Sequence, residues 1–220
     1  MPSVTVENYL KQLYVQQAAI GAPVAMGKLA AAMGVVPGTV TSMVKVLAES
    51  RLVAYEPRTG VRLTRAGEQL ALRVLRRHRL IELFLVKILG LDWSEVHDEA
   101  EELEHALSDK VLERIDALLG HPSVDPHGDP IPPAKGRPRR ISRPTLAATT
   151  AGKRYRVARL LDQEARFLQF VQRRGLTPGA VVVVIERDAS GDSVRLRPRG
   201  KAAVTLGNTA AAKILVEPLE

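Results

Sequence analysis

The sequence predicts a mainly α-helical chain with a small β component, laid out as three successive parts. Three observations carry this expectation. Apolar residues recur at spacings of three and four through the first half of the chain. β-branched and alternating segments gather after Thr149. Between these regions, 121–148 is punctuated by Pro and Gly and reads as a linker. The expected domains are 1–64, 65–140 and 141–220.

In the first part, Leu10, Leu13, Tyr14 and Gln17 keep helical spacing, and Gly21-Ala22-Pro23 ends that helix. Met26 to Met33 forms a second, short helix, followed by a turn at Gly34-Val35-Val36. Pro37 suits the first position of a third helix, where its missing N–H is not needed. That helix carries Val40, Met43, Val44 and Leu47 on one face. Residues 52–56 and 61–63 then read as two strands joined through Pro57-Arg58-Thr59-Gly60.

The middle part is helical again. One helix runs from Arg65 to Leu89 and stops at Gly90. Another covers Ser94 to Leu107, and a third follows Ser108, a side chain suited to capping, as far as Leu119. In the last part, Val181 to Ile185 and the alternating Val194-Arg195-Leu196-Arg197 are strands joined through Ser190-Gly191-Asp192. Thr177-Pro178-Gly179 and Leu206-Gly207 mark further turns. With a short helix near Leu160 to Arg173, these segments fit a small β-barrel.

Composition narrows the function classes. The 220 residues are 45% hydrophobic but only 4% aromatic, so the cores rest on Leu, Val, Ile and Ala. A formal net charge of +8 favours a polyanionic partner, nucleic acid before membrane. With no cysteine, thiolate metal sites, disulfides and Cys nucleophiles are excluded. No apolar run approaches the roughly 20 residues that span a bilayer. The N-terminus lacks the features of a signal peptide, so a cytoplasmic location is expected.

A short helix, a tight turn, a second helix and a β-hairpin together make a winged helix-turn-helix, whose second helix enters the DNA major groove. The groove-facing positions are Pro37, Gly38, Thr39, Thr41 and Ser42, small and polar enough for close approach. Lys28 and Lys45 are placed to neutralise phosphates, and Arg58 tips the wing. From Asp129 to Asp162 there is no acid between the two, while Lys135, Arg137, Arg139, Arg140, Arg143, Lys153, Arg154, Arg156 and Arg159 are basic. That run reads either as a solvated tether or as an auxiliary phosphate contact.

A second constellation has metal-ligand character. His78 and Glu82 are four apart on one predicted helix; His97, Glu101, Glu104 and His105 share one face of the next. Imidazole with carboxylate suits Mn, Fe, Co, Ni or Zn. Glu102-Leu103-Glu104-His105 is also a Glu-x-x-His pattern, as in di-iron carboxylate bundles, but no second copy occurs. A di-metal carboxylate enzyme and a metal-independent DNA-binding module therefore stand as alternatives.

These residues resemble the iron- and manganese-dependent repressors of the diphtheria toxin repressor and manganese transport regulator family. The resemblance rests on Arg77-His78-Arg79-Leu80-Ile81-Glu82, on 96–108, and on His121-Pro122 with Pro126-His127-Gly128-Asp129-Pro130-Ile131-Pro132. Gly175-Leu176-Thr177-Pro178-Gly179-Ala180 resembles the SH3-like, FeoA-type domain of the longer members. The resemblance implies no enzyme but a homodimeric repressor, one dimer or two on an operator in double-stranded DNA, activated by Mn(II) or Fe(II). It implies a primary metal site at Glu101, Glu104, His105 and Asn8, where the family has Met or Asp at the last position. It implies an ancillary site at His78, Glu82 and His97. Glu101 replaces the Cys of iron-type members. Lys11 stands where some manganese regulators carry Glu, against a closely spaced pair of ions. Gln163 and Arg166 align with Glu and Gln ligands of the SH3-like domain, with Glu164 beside them. The dimer is expected at 83–91 and 111–119. Metal joining the first helix to the metal-site acids is expected to fix the DNA-binding part against the dimerisation helices.

Overall fold

The computed structural model describes residues 3–134, 136, 138 and 141–219. They fall into two compact units. The first comprises the described residues of 1–78, 104–106 and 132–137; the second comprises those of 79–103, 107–131 and 138–220.

The first unit opens with α1 (Val4–Ile20), which begins where the Ser3 side chain accepts from Val6 N and ends at left-handed Gly21. α2 (Met26–Met33) and α3 (Pro37–Glu49) follow, with Pro37 in the first turn of α3. β1 (Val53–Glu56) and β2 (Gly60–Leu63) form an antiparallel hairpin. Val24 bridges to Val61, and this fixes Gly60: at φ +122° a Cβ would meet the Val24 carbonyl oxygen. Leu10, Leu13, Leu29, Val40, Val44, Leu47 and Val61 are fully buried together in one core. The winged helix-turn-helix order is the one expected from sequence. α4 (Arg65–Lys87) is capped by Thr64, whose hydroxyl accepts from Gly67 N at 3.1 Å.

Two expectations for the middle part need correction. α5 covers only Val96–Leu103. Asp92 takes the Ser94 N–H and hydroxyl at 2.8 and 2.6 Å, so a turn, not a helix, occupies that start. Glu104 and His105 lie in the turn after α5 rather than within it. α6 (Asp109–Leu118) does start from Ser108. Nor is 121–131 a loose linker: Asp125, His127 and Asp129 are buried, and Val124 bridges to Pro130. The Pro and Gly residues there set a tight turn; at Gly128, φ +86°, a Cβ would collide with the Ala158 carbonyl oxygen. Of the basic run, Lys135, Arg137, Arg139 and Arg140 lie outside the described residues.

The C-terminal part of the second unit is a five-stranded antiparallel sheet in the order β6-β5-β4-β3-β7. Its strands are β3 (Arg154–Leu160), β4 (Val181–Asp188), β5 (Ser193–Pro198), β6 (Val204–Gly207) and β7 (Ile214–Leu219). α7 (Ala165–Arg173) and the short α8 (Asn208–Ala211) complete it. β3 was not foreseen: the helix expected from Leu160 begins only at Ala165. Tyr155 and Val157 alternate with exposed Arg154 and Arg156, a period of two that the bulge after Val157 interrupts. The sheet buries Val157, Leu160, Val182, Val184, Val194 and Leu196 against Leu168 and Val171 of α7. The architecture is mainly α with a small SH3-like β domain. Among the described residues, no single helix is long and apolar enough to cross a membrane.

Candidate metal centre and nucleic-acid interface

In the first unit, side chains of α1 meet those that follow α5. His105 Nδ1 lies 2.7 Å from Glu7 Oε2, and its Nε2 lies 2.9 Å from Asn8 Oδ1 and 3.2 Å from Glu104 Oε1. The Glu7 carboxylate is an acceptor only, so it holds the proton on Nδ1. In the neutral imidazole the Nε2 lone pair then faces Asn8 Oδ1 and Glu104 Oε1, three electron-pair donors that a shared cation can join. Two ligands about 2.1 Å from one ion at right angles stand roughly 3.0 Å apart, close to both separations at Nε2. The donor set of imidazole, amide oxygen and carboxylate fits a divalent transition metal. Glu7, 3.8 Å from Arg77, was not singled out from the sequence; its signal was its place one residue before Asn8.

Glu104 is fully buried and already partnered. Lys11, a residue only 4% exposed, donates from Nζ to Oε1 at 2.6 Å, and His78 Nδ1 lies 2.8 Å from Oε2. Burial alone would raise the Glu104 pKa. The hydrogen bond from His78 and the charge of Lys11 outweigh it and hold the carboxylate below its ordinary range. His78 Nδ1 is thereby engaged by Glu104.

Glu82, His97 and Glu101 belong to the second unit. Glu82 is buried on α4, with His97 Nδ1 3.5 Å from its Oε1. His97 is largely exposed, and its Nε2 lies 3.7 Å from Glu101. A fully buried group that periodicity could not show surrounds Glu82: Glu82, Asp125 and His127 have ligand atoms within 4.8 Å of one another. His127 gives its Nε2 proton to the Trp93 carbonyl at 2.8 Å, and the Trp93 ring stacks on it. Among the described residues its Nδ1 has no hydrogen-bond partner, and it stands 4.0 Å from Glu82 Oε2. An orphaned buried imidazole nitrogen beside two acids fits a metal ligand. Asp125 is driven well above the ordinary carboxylate range by its burial, then by the charges of Asp129 and Glu82. Asp129 has other partners: Arg79 at 3.1 Å, Arg159, and Gln163, which donates at 2.7 Å. Gln163 is therefore engaged, and Glu164 and Arg166 are exposed.

The expected DNA-facing residues gather on α3 and the wing. Pro37, Gly38, Thr39, Ser42 and Lys45 are exposed, as is Lys28 on α2. Thr41 and Ser42 donate their hydroxyl protons to the carbonyls of Pro37 and Gly38 at 2.9 and 3.2 Å, so toward a groove they present oxygen lone pairs. Arg58 is exposed at the wing tip with φ +70°. Arg51, after α3, and Arg62, on β2, are also exposed; no periodicity marked them.

The fold and this surface define a winged helix-turn-helix DNA-binding protein with a histidine–carboxylate centre. Family models match along almost the whole chain. "Iron dependent repressor, N-terminal DNA binding domain" matches 1–61, "Iron dependent repressor, metal binding and dimerisation domain" 64–133, and "FeoA domain" 145–218. The chain belongs to the iron-dependent repressor family. It is 40% identical over 117 residues to an uncharacterized HTH-type transcriptional regulator of Methanocaldococcus jannaschii, covering 53% of this chain and 94% of that one. It is 34% identical over 128 residues to the iron-dependent repressor IdeR of Mycobacterium tuberculosis, covering 58% of this chain and 55% of that one. Among solved structures, a manganese-dependent transcriptional repressor in complex with manganese is similar with a TM-score of 0.87 at 38% identity, covering 97% of this chain and 100% of that one.

Proposed function

We propose that this protein is a metal-dependent transcriptional repressor that binds operator DNA as a homodimer when loaded with Mn(II) or Fe(II), and controls genes of metal homeostasis. The observation that carries this reading is the convergence of Asn8 Oδ1, Glu104 Oε1 and His105 Nε2 at 2.9 and 3.2 Å. Glu101, three residues before Glu104, joins them as the fourth primary ligand. Bound there, the metal supplies positive charge among ligands from α1 and the turn after α5. Glu7 orients His105 from behind. Asn8 draws α1, which packs through Leu10 and Leu13 on the core that also holds α3. Metal thereby restricts the DNA-binding helices, so a larger fraction of the protein is competent for DNA. His78, Glu82 and His97 remain the proposed ancillary set, to which Asp125 and His127 are added at Glu82. The proposed domains are 1–64 for DNA, 65–140 for metal and dimerisation, and 141–220 for the FeoA-type domain. A regulator, not a di-metal oxidase, is favoured because the Glu-x-x-His pattern occurs once.

The test is binding to a promoter duplex with and without Mn(II), Fe(II), Co(II) and Zn(II). Metal-stimulated binding that chelator reverses is expected. Binding indifferent to chelator makes the protein a metal-independent DNA module, and oxygen consumption by the iron-loaded protein makes it an oxidase. Asn8→Asp is expected to tighten Mn(II) binding in a calorimetric titration, because a charged ligand replaces a neutral one. Unchanged affinity removes Asn8 from the ligand set. Lys45→Gln is expected to lower the salt slope of DNA binding by about 0.9, one phosphate contact. An unchanged slope takes Lys45 off the interface.

A further inference from the structure

The outer face of the C-terminal sheet carries two rows of arginine that the proposed function leaves unused. Strand register sets Arg154 beside Val183, and Val183 beside Arg197. In the next row Arg156 lies beside Val181, whose carbonyl accepts from Arg199 N at 2.8 Å. All four arginines are exposed. The two valines floor a shallow groove of about 600 Å³ between them. Arg156, Arg197 and Arg199 have no ion pair among the described residues. Two acids stand nearby. Glu217, beside Arg156 in the register, is held by Arg143 at 2.6 Å, and Glu186 pairs across the strands with Arg195.

Residues two apart on a strand are about 6.6–6.8 Å apart, and strands two apart about 9.5 Å. The four guanidinium groups therefore rise from the corners of a rectangle of about 7 by 10 Å, too wide for one small anion and suited to a chain of them. Arginine forks match phosphate oxygens in pairs. Among the described residues no aromatic side chain lines this groove to stack a base, which disfavours single strands. We propose that this arginine face binds the phosphate backbone of double-stranded DNA, without reading bases, as a second contact of the same protein. The proposal rests on the reading of the chain as a DNA-binding protein. A second contact that engages the same polymer simultaneously raises affinity through effective concentration, even where it is weak by itself.

The test uses the full chain with Mn(II) and a duplex of unrelated sequence, titrated from about 50 to 200 mM salt. Arg156→Gln/Arg197→Gln, at exposed positions, is expected to reduce the slope of log affinity against log salt by about 1.8, two contacts at roughly 0.9 each. Over that fourfold salt range the variant then loses about 12-fold less affinity than the parent. Parent binding with an unchanged slope in the double variant overturns the face alone. Absence of duplex binding by the parent overturns the DNA reading itself, and the face with it. If the double variant instead loses binding to phosphatidylserine vesicles while its DNA slope stays at the parent value, the face serves a membrane and the proposal falls.

Discussion

Glu104→Ala is expected to destabilise the first unit by about 3–5 kcal/mol, the range for removing one partner of a buried ion pair. The effect is large because Lys11 remains, 4% exposed, with its ammonium stripped of the carboxylate 2.6 Å away. Adding Lys11→Met to that variant removes the orphaned charge and is expected to restore more than half of the loss. Denaturant unfolding of the parent, both single variants and the double variant measures the coupling. Additive losses would mean that the pair does not act as a unit. The pH dependence has a definite sign. The Glu104 carboxyl is held below its ordinary 4.5 in the folded protein, so its contribution is present above that value and is lost as the pH falls through the lower folded pKa. The same residue links stability to metal. With Lys11 seated on Oε1, Glu104 is partly neutralised before any ion arrives.

Asp125→Asn is expected to act in opposite directions on the metal-free and metal-loaded protein. Asp125 Oδ1 accepts from His127 N and Asp129 N at 2.8 and 2.9 Å. An Asn carbonyl keeps both bonds, so the turn persists. The carboxyl's raised pKa marks a destabilising charge: relative to the unfolded chain, stability is lost as the pH rises from the ordinary 3.8 through the folded value. The metal-free Asn variant is therefore expected to melt higher at neutral pH and to depend less on pH. A metal bound at Glu82, Asp125 and His127 reverses the preference. At 100 times its dissociation constant, an ion stabilises the folded parent by about 2.7 kcal/mol. That corresponds to roughly 5–11 °C in melting temperature for a chain of this size. The variant is expected to show less than half of that rise. An equal rise would show that no ion sits at Asp125.

The site was legible in part, and the division follows sequence distance. Helical spacing placed His78 near Glu82 and Glu104 near His105, because ligands within a turn or two of one another share a face. It did not show that His78 Nδ1 also meets Glu104, 26 positions away. It also carried α5 through Glu104 and His105, where the helix has already ended. The contacts of Glu7 with His105, Lys11 with Glu104, and Asp125 and His127 with Glu82 escaped because they form only after the chain has folded back. Pro126, Gly128 and Pro130 made their neighbourhood look like a tether, although burial of Asp125, His127 and Asp129 makes it structured.

The sequence alone determined the fold class and most of the elements, though not β3 or the bounds of α5 and α7. Apolar periodicity, Pro37 at a helix start, Ser108 at another and Gly21 at a helix end are local signals, read within four residues of one another. The absence of cysteine and the positive net charge likewise needed no coordinates. Only the tertiary structure decided the partners of the buried charges: Lys11 on Glu104, Glu7 on His105, and Asp125 with His127 beside Glu82. It also decided the alignment of arginines across three strands. The physical reason is that burial makes an unpaired charge costly, and which charges are buried together is fixed by contacts distant in sequence, whose pairing leaves no local period.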